Sequence, residues 1–151
     1  MRSEEALINL LQEQISSYTI LQSLLQKERA SLIDMDAPKV EEISKEKDTV
    51  VMRLRLLEEE RQRLTREIGH SNGTDVQITL KELARCTGIS LFLSLRTQLI
   101  SLLKTVDQMN KFNAILMERS INYITTTNNF FNLFVGEQLP QSTGVLLSKE
   151  S

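Results

Sequence analysis

The chain has 151 residues, a formal charge near −2, about 40% apolar and 25% charged side chains, the proportions of a single ordinary soluble domain. Five Gly, two Pro and no Trp argue against an all-β architecture, which needs frequent turn residues. The Lys and Arg are matched by neighbouring acids, so no basic surface for nucleic acid is expected. A single Cys forbids an internal disulfide.

Apolar residues recur from Leu7 through Leu11, Tyr18, Leu21 and Leu25 to Leu32 in steps of three and four, the stripe of a helix over about 3–34. Ser3 and the acids after it form its start. In this N-terminal stretch acids stand where the apolar run of a signal peptide would begin, so none is expected. Asp36, followed by Pro38, starts a second helix over about 37–68, with Val40, Ile43, Val50, Leu54, Leu57 and Leu64 on its stripe. The Gly/Asn-rich loop around Gly69–Gly73 stops it.

Two helices so tightly joined fold back on each other, and facing residues then have numbers with a constant sum. Setting Leu32 opposite Ile43 fixes the sum at 75. It pairs Leu25 with Val50, Leu21 with Leu54, Tyr18 with Leu57, Leu11 with Leu64 and Leu7 with Ile68. The polar interruptions pair too: Glu28 with Lys47, and Gln14 with Arg61. A partly buried Glu28–Lys47 pair adds little net stability, but an unpaired member is costly, so it penalises slipped alignments.

A short helix is expected over about 76–86, ended by Thr87-Gly88, and a long one over 90–136, capped by Ser90. Phe92, Leu95, Leu99, Leu102, Val106 and Met109 form its stripe. Its last part changes character, because between Arg119 and Glu137 no residue is charged and eight of seventeen are Ser, Thr or Asn. Residues 1–70 carry 25 charged side chains and the longer segment 71–151 carries 13, so this uncharged end is read as a covered surface. Amides suit a surface that must hydrogen-bond a partner without burying charge. A frayed, solvated helix end is the plainer alternative. The stretch is too short and too amide-rich to span a bilayer. Residues 138–151 read as a flexible tail with a small apolar island at 145–147.

His70, in a Gly/Asn-rich loop, reads as solvated, and Cys86 as a small buried filler. The run Glu58-Glu59-Glu60 among arginines reads as a solvated helix face. No phosphate loop, metal-ligand cluster or nucleophile–base pattern appears. Catalytic residues, cofactors and metals are therefore not expected. The architecture expected is all-α: an elongated antiparallel helical hairpin, coiled-coil-like, plus a third long helix, in one domain over 1–137.

The run Leu25-x2-Glu28-x3-Leu32-x3-Asp36-x3-Val40-x2-Ile43-x3-Lys47-x6-Leu54-x2-Leu57-x3-Arg61 resembles the FlgN family of flagellar export chaperones. The resemblance is clearest over residues 20–66. It implies a cytoplasmic chaperone of the type III export system that holds hook–filament junction (hook-associated) proteins unassembled and delivers them to the export gate. Such chaperones bind a C-terminal helical segment of the client through their own C-terminal helix. The residues expected to carry that contact are Asn110, Asn113, Met117, Ile121, Ile124, Asn128, Phe131, Phe134 and Val135. The resemblance also implies docking to the export gate, with Tyr123 as the candidate. It supplies no role for the 76–86 helix. The rival reading is a structural coiled-coil or adaptor protein that self-associates through the third helix, and homo-oligomerisation without client is left open.

Overall fold

The computed structural model describes residues 2–73 and 77–135. Four helices make up the all-α fold: α1 (Arg2–Ile33), α2 (Ala37–Ser71), α3 (Leu80–Thr87) and α4 (Leu91–Val135). The tail expected at 138–151 lies outside the described residues.

α1 and α2 form the hairpin, and the turn between them is built by capping. Asp36 caps α2, its carboxylate accepting from the Lys39 backbone N–H at 3.2 Å, and proline occupies the first turn. On the other side of the turn, the N–H of Asp36 donates to the Ser31 carbonyl and that of Met35 to the Leu32 carbonyl. This closes α1 with a Schellman motif. Met35 takes the left-handed position, at φ 55°, where glycine is the usual residue.

The hairpin has the register with sum 75. The Lys47 ammonium donates to Glu28 Oε2 at 2.8 Å. Leu7, Leu11, Leu57, Leu64 and Ile68 share one buried cluster, and Leu21, Leu25 and Leu54 another. At Gln14 the pairing is indirect. Its side-chain N–H donates to Glu58 Oε2 at 3.1 Å, and Arg61 grips the same carboxylate at 2.8 and 2.6 Å. One turn of α2 thus inserts an acid between the two groups the register makes neighbours.

The connection back to α4 is made at the open end of the hairpin. α3 starts at Leu80 rather than near Val76, because Thr79 and Glu82 form a capping box there. Gly88 ends it at φ 71°, in the conformation glycine adopts without steric cost. The Cys86 thiol on this helix is exposed, which corrects the expectation of a buried filler. The entry to α4 also differs from the expected Ser90 side-chain cap. Backbone N–H groups of Phe92 and Leu93 donate to the carbonyls of Ile89 and Ser90, which closes the first turn through the main chain.

α4 then runs parallel to α1. Phe92, Leu95 and Leu99 enter the cluster of Leu7, Leu10 and Leu11, while Val106 and Met109 pack on that of Leu21 and Leu25. α2 and α4 both pack on α1 but barely touch each other. The core is therefore centred on α1.

Candidate partner-binding surface

Along α4, burial falls off in one direction. Phe92 is fully buried, Leu95 and Leu99 nearly so, and Leu102, Val106 and Met109 only half-buried. The next residue on the same stripe is Asn113, and it is 2% exposed. Its side-chain amide N–H group donates to the Leu25 carbonyl and to Glu28 Oε1, both at 2.9 Å. Lys47 holds the other oxygen of Glu28. Lys47, Glu28 and Asn113 thus form one line of polar contacts that ties α2, α1 and α4 together at one level. Asn113 Oδ1 is the one buried polar side-chain atom among the described residues that has no partner. Next to this line, the Arg29 guanidinium lies 4.8 Å over the Phe112 ring, a cation–π contact between the same two helices.

The expectation that Asn113 faces a partner is corrected by this geometry. Its amide is consumed inside the α1–α4 seam, where a buried carboxylate needs a second donor. The clue lay in position. Asn113 continues the stripe Phe92–Met109 in steps of three and four, as Glu28 continues that of α1.

The Asn113–Glu28 register brings residue 118 of α4 level with the end of α1 at Ile33. The remaining 17 residues of α4, about 25 Å of helix, project past the hairpin turn. All of them but the first, Arg119, lie in the segment that carries no charge. Among the other expected contact residues, Asn110 is exposed on the seam side of this boundary and Met117 half-buried beside it. Ile121, Ile124 and Asn128 are half-buried, Phe131 is 48% exposed and Phe134 76%. Val135 closes the helix, and its side chain lies outside the described set.

At 3.6 residues per turn the projecting segment has two faces. Ile121, Ile124, Asn128 and Phe131 share one. Tyr123, Phe130 and Phe134 share the other, with the Phe130 and Phe134 rings 4.6 Å apart. Phe134 therefore belongs with Tyr123, and Phe130 and Leu133, the latter 83% exposed, join the apolar surface as residues the pattern had not singled out. The polar residues here are partly self-satisfied, as where Thr127 donates to the Tyr123 carbonyl at 2.8 Å. An exposed apolar surface of this concentration, on a helix end that no other described element covers, marks an interaction site.

A family model described as FlgN protein matches residues 1–133, a span that covers the hairpin, the seam and most of the projecting segment. The chain belongs to the FlgN family. No curated protein and no solved structure matches it. FlgN proteins are flagellar export chaperones, so this chain is a helical-bundle chaperone of flagellar assembly. Among its described residues, no helix is long and apolar enough to cross a membrane, and no group of three or more His, Cys, Asp or Glu is placed to hold a metal ion.

Proposed function

We propose that this FlgN chain acts in the cytoplasm without catalysis, by holding a helical C-terminal segment of a hook–filament junction protein on the projecting end of α4 and delivering it to the export gate. The observation that supports this reading is the coincidence of three boundaries. Contact with α1 and charge both end within a few residues of Glu118, and beyond Asn113 no described residue of α4 is fully buried. A helical client laid along Ile121, Ile124, Asn128 and Phe131 buries those side chains in the manner of a helix-in-groove contact. Phe131 is its largest anchor, and aromatic anchors concentrate binding energy. The opposite face, with Tyr123 at 63% exposure, stays open for the gate.

The test replaces Ile124 and Phe131 by Ser together, verifies helicity by circular dichroism, and titrates the variant against the C-terminal segment of a hook–filament junction protein. The expected result is at least a tenfold loss of affinity, about 1.4 kcal/mol, in a protein that melts as the parent does. A folded double variant that binds as tightly as the parent removes the site. The same exposed aromatic residues also fit the rival reading, self-association through α4. Sedimentation of the free protein separates the two, because a scaffold is a stable oligomer at micromolar concentration and a chaperone dissociates into competent subunits when client is added.

A further inference from the structure

Between α2 and α4, over α1 and near the open end of the hairpin, lies a cleft of about 500 Å³. Its floor is α1, through Gln14 and Tyr18. Glu58 and Arg61 of α2 form one wall, Arg96 and the aliphatic Leu99, Ile100 and Leu103 of α4 the other, and the segment beginning at Gln77 closes the end.

Donors and acceptors in this cleft do not balance. The acidic group in it is already saturated, since the Glu58 carboxylate accepts from Arg61 twice, from Gln14 and from Gln62. Arg61 is spent on the same carboxylate. The half-buried Arg96, by contrast, has no carboxylate or other acceptor among the described residues, and neither has the hydroxyl of the half-buried Tyr18 nor the side chain of Gln77, exposed at the cleft's mouth. Burial, with the Glu58 charge nearby, pushes the Tyr18 phenol up from its usual value, so it is a protonated donor at neutral pH. One uncompensated cation and two unspent donors line a cleft whose remaining wall is aliphatic. Chemistry of that kind is complementary to an anionic acceptor on an apolar body.

We propose that this cleft binds a short partner peptide segment that presents a carboxylate beside an aliphatic side chain. The carboxylate faces Arg96, with Tyr18 and Gln77 as supporting donors, and the aliphatic group lies on Leu99, Ile100 and Leu103. A peptide is favoured over a small molecule because the cleft is an open groove between two helices rather than an enclosed cavity. The site stands independently of the client reading. It is about 38 Å along α4 from Ile124, so two partners can be held without competition.

The experiment uses the full chain, labelled with ¹⁵N, and two capped peptides, Ac-Leu-Glu-Leu-NH₂ and its Ac-Leu-Gln-Leu-NH₂ twin. The glutamate peptide is expected to shift the Arg96 Nε–H and Gln14 and Gln77 side-chain signals to saturation. The glutamine twin should bind about five-fold more weakly, the scale of the difference between a charge-assisted and a neutral hydrogen bond. Arg96→Gln, verified as folded by its backbone amide fingerprint, should erase the difference between the two peptides. Equal binding of both peptides to the parent, or absence of any shift at Arg96, overturns the proposal. Hexanoate binding as tightly as the glutamate peptide assigns the cleft to small carboxylates and overturns the peptide occupant.

Discussion

The two ends of α4 are built from one continuous helix and do opposite things with apolar residues. At its start, Phe92 is fully buried against Leu7 and Leu11. At its end, Phe131 and Phe134 stand about half and three-quarters exposed, and charge is absent altogether. The same residue type is core in one place and contact surface in the other, and only the presence of α1 alongside distinguishes them. What separates the halves is the polar line Lys47–Glu28–Asn113, which holds the last fully buried residue of α4 among those described.

The comparison breaks most directly at the aromatics. Phe92→Ala should cost about 3–5 kcal/mol, while Phe131→Ala should stay within about 0.5 kcal/mol, as surface substitutions do. Chemical denaturation of the two variants measures both. Equal losses would mean that the projecting end is packed in solution, and the contrast would vanish.

The boundary itself is the next point to strike. Lys47→Met leaves the Glu28 carboxylate, 4% exposed, with only the Asn113 amide for a partner. A loss of about 3 kcal/mol is expected, the lower end for an unpaired buried charge, because Lys47 is itself partly exposed. Adding Glu28→Leu should recover part of that loss, since apolar pairs replace buried ion pairs at little cost. Thermal melts of the single and double variants decide it, and a double variant less stable than the single would show that the pair is a net stabiliser.

The smallest effect is at Glu58. Its grip by Arg61, assisted by Gln14, holds its carboxyl below the usual value against some desolvation. A folded pKa below the unfolded one contributes stability that is fully present above the unfolded value and fades as pH falls through the folded one. Glu58→Gln should therefore flatten the acid limb of the stability–pH curve and leave its neutral plateau only slightly lowered, because the group is close to half exposed and screened. An unchanged acid limb would place the acid sensitivity elsewhere.

The hairpin was legible from residue pattern because every pairing across it repeats one arithmetic. The apolar residues, and the stray acid opposite a base, select the same register, and Lys47 meets Glu28 in it. The architecture followed from the helical stripes and from the scarcity of turn residues. The start of α3 was harder to read, because Val76 and Ile78 extend the apolar rhythm N-terminally, whereas the capping box at Thr79 and Glu82 decides where helical hydrogen bonding begins. Asn113 was misread for a different reason. An amide on a helix looks the same whether it faces a partner or a buried carboxylate, and only the parallel docking of α4 on α1 brings Glu28 to it. The donor surplus around Arg96 depends on side chains far apart in sequence, so no local pattern announces it.

The lack of charge on the projecting end also sets the tempo of whatever docks there. Without fixed charges the surface has no electrostatic steering, so association should run near the unsteered range of about 10⁵–10⁶ M⁻¹ s⁻¹ and be nearly indifferent to ionic strength. Selectivity among partners must then reside in how long each complex lasts, with differences in dwell time set by how well each helix covers Ile121, Ile124 and Phe131.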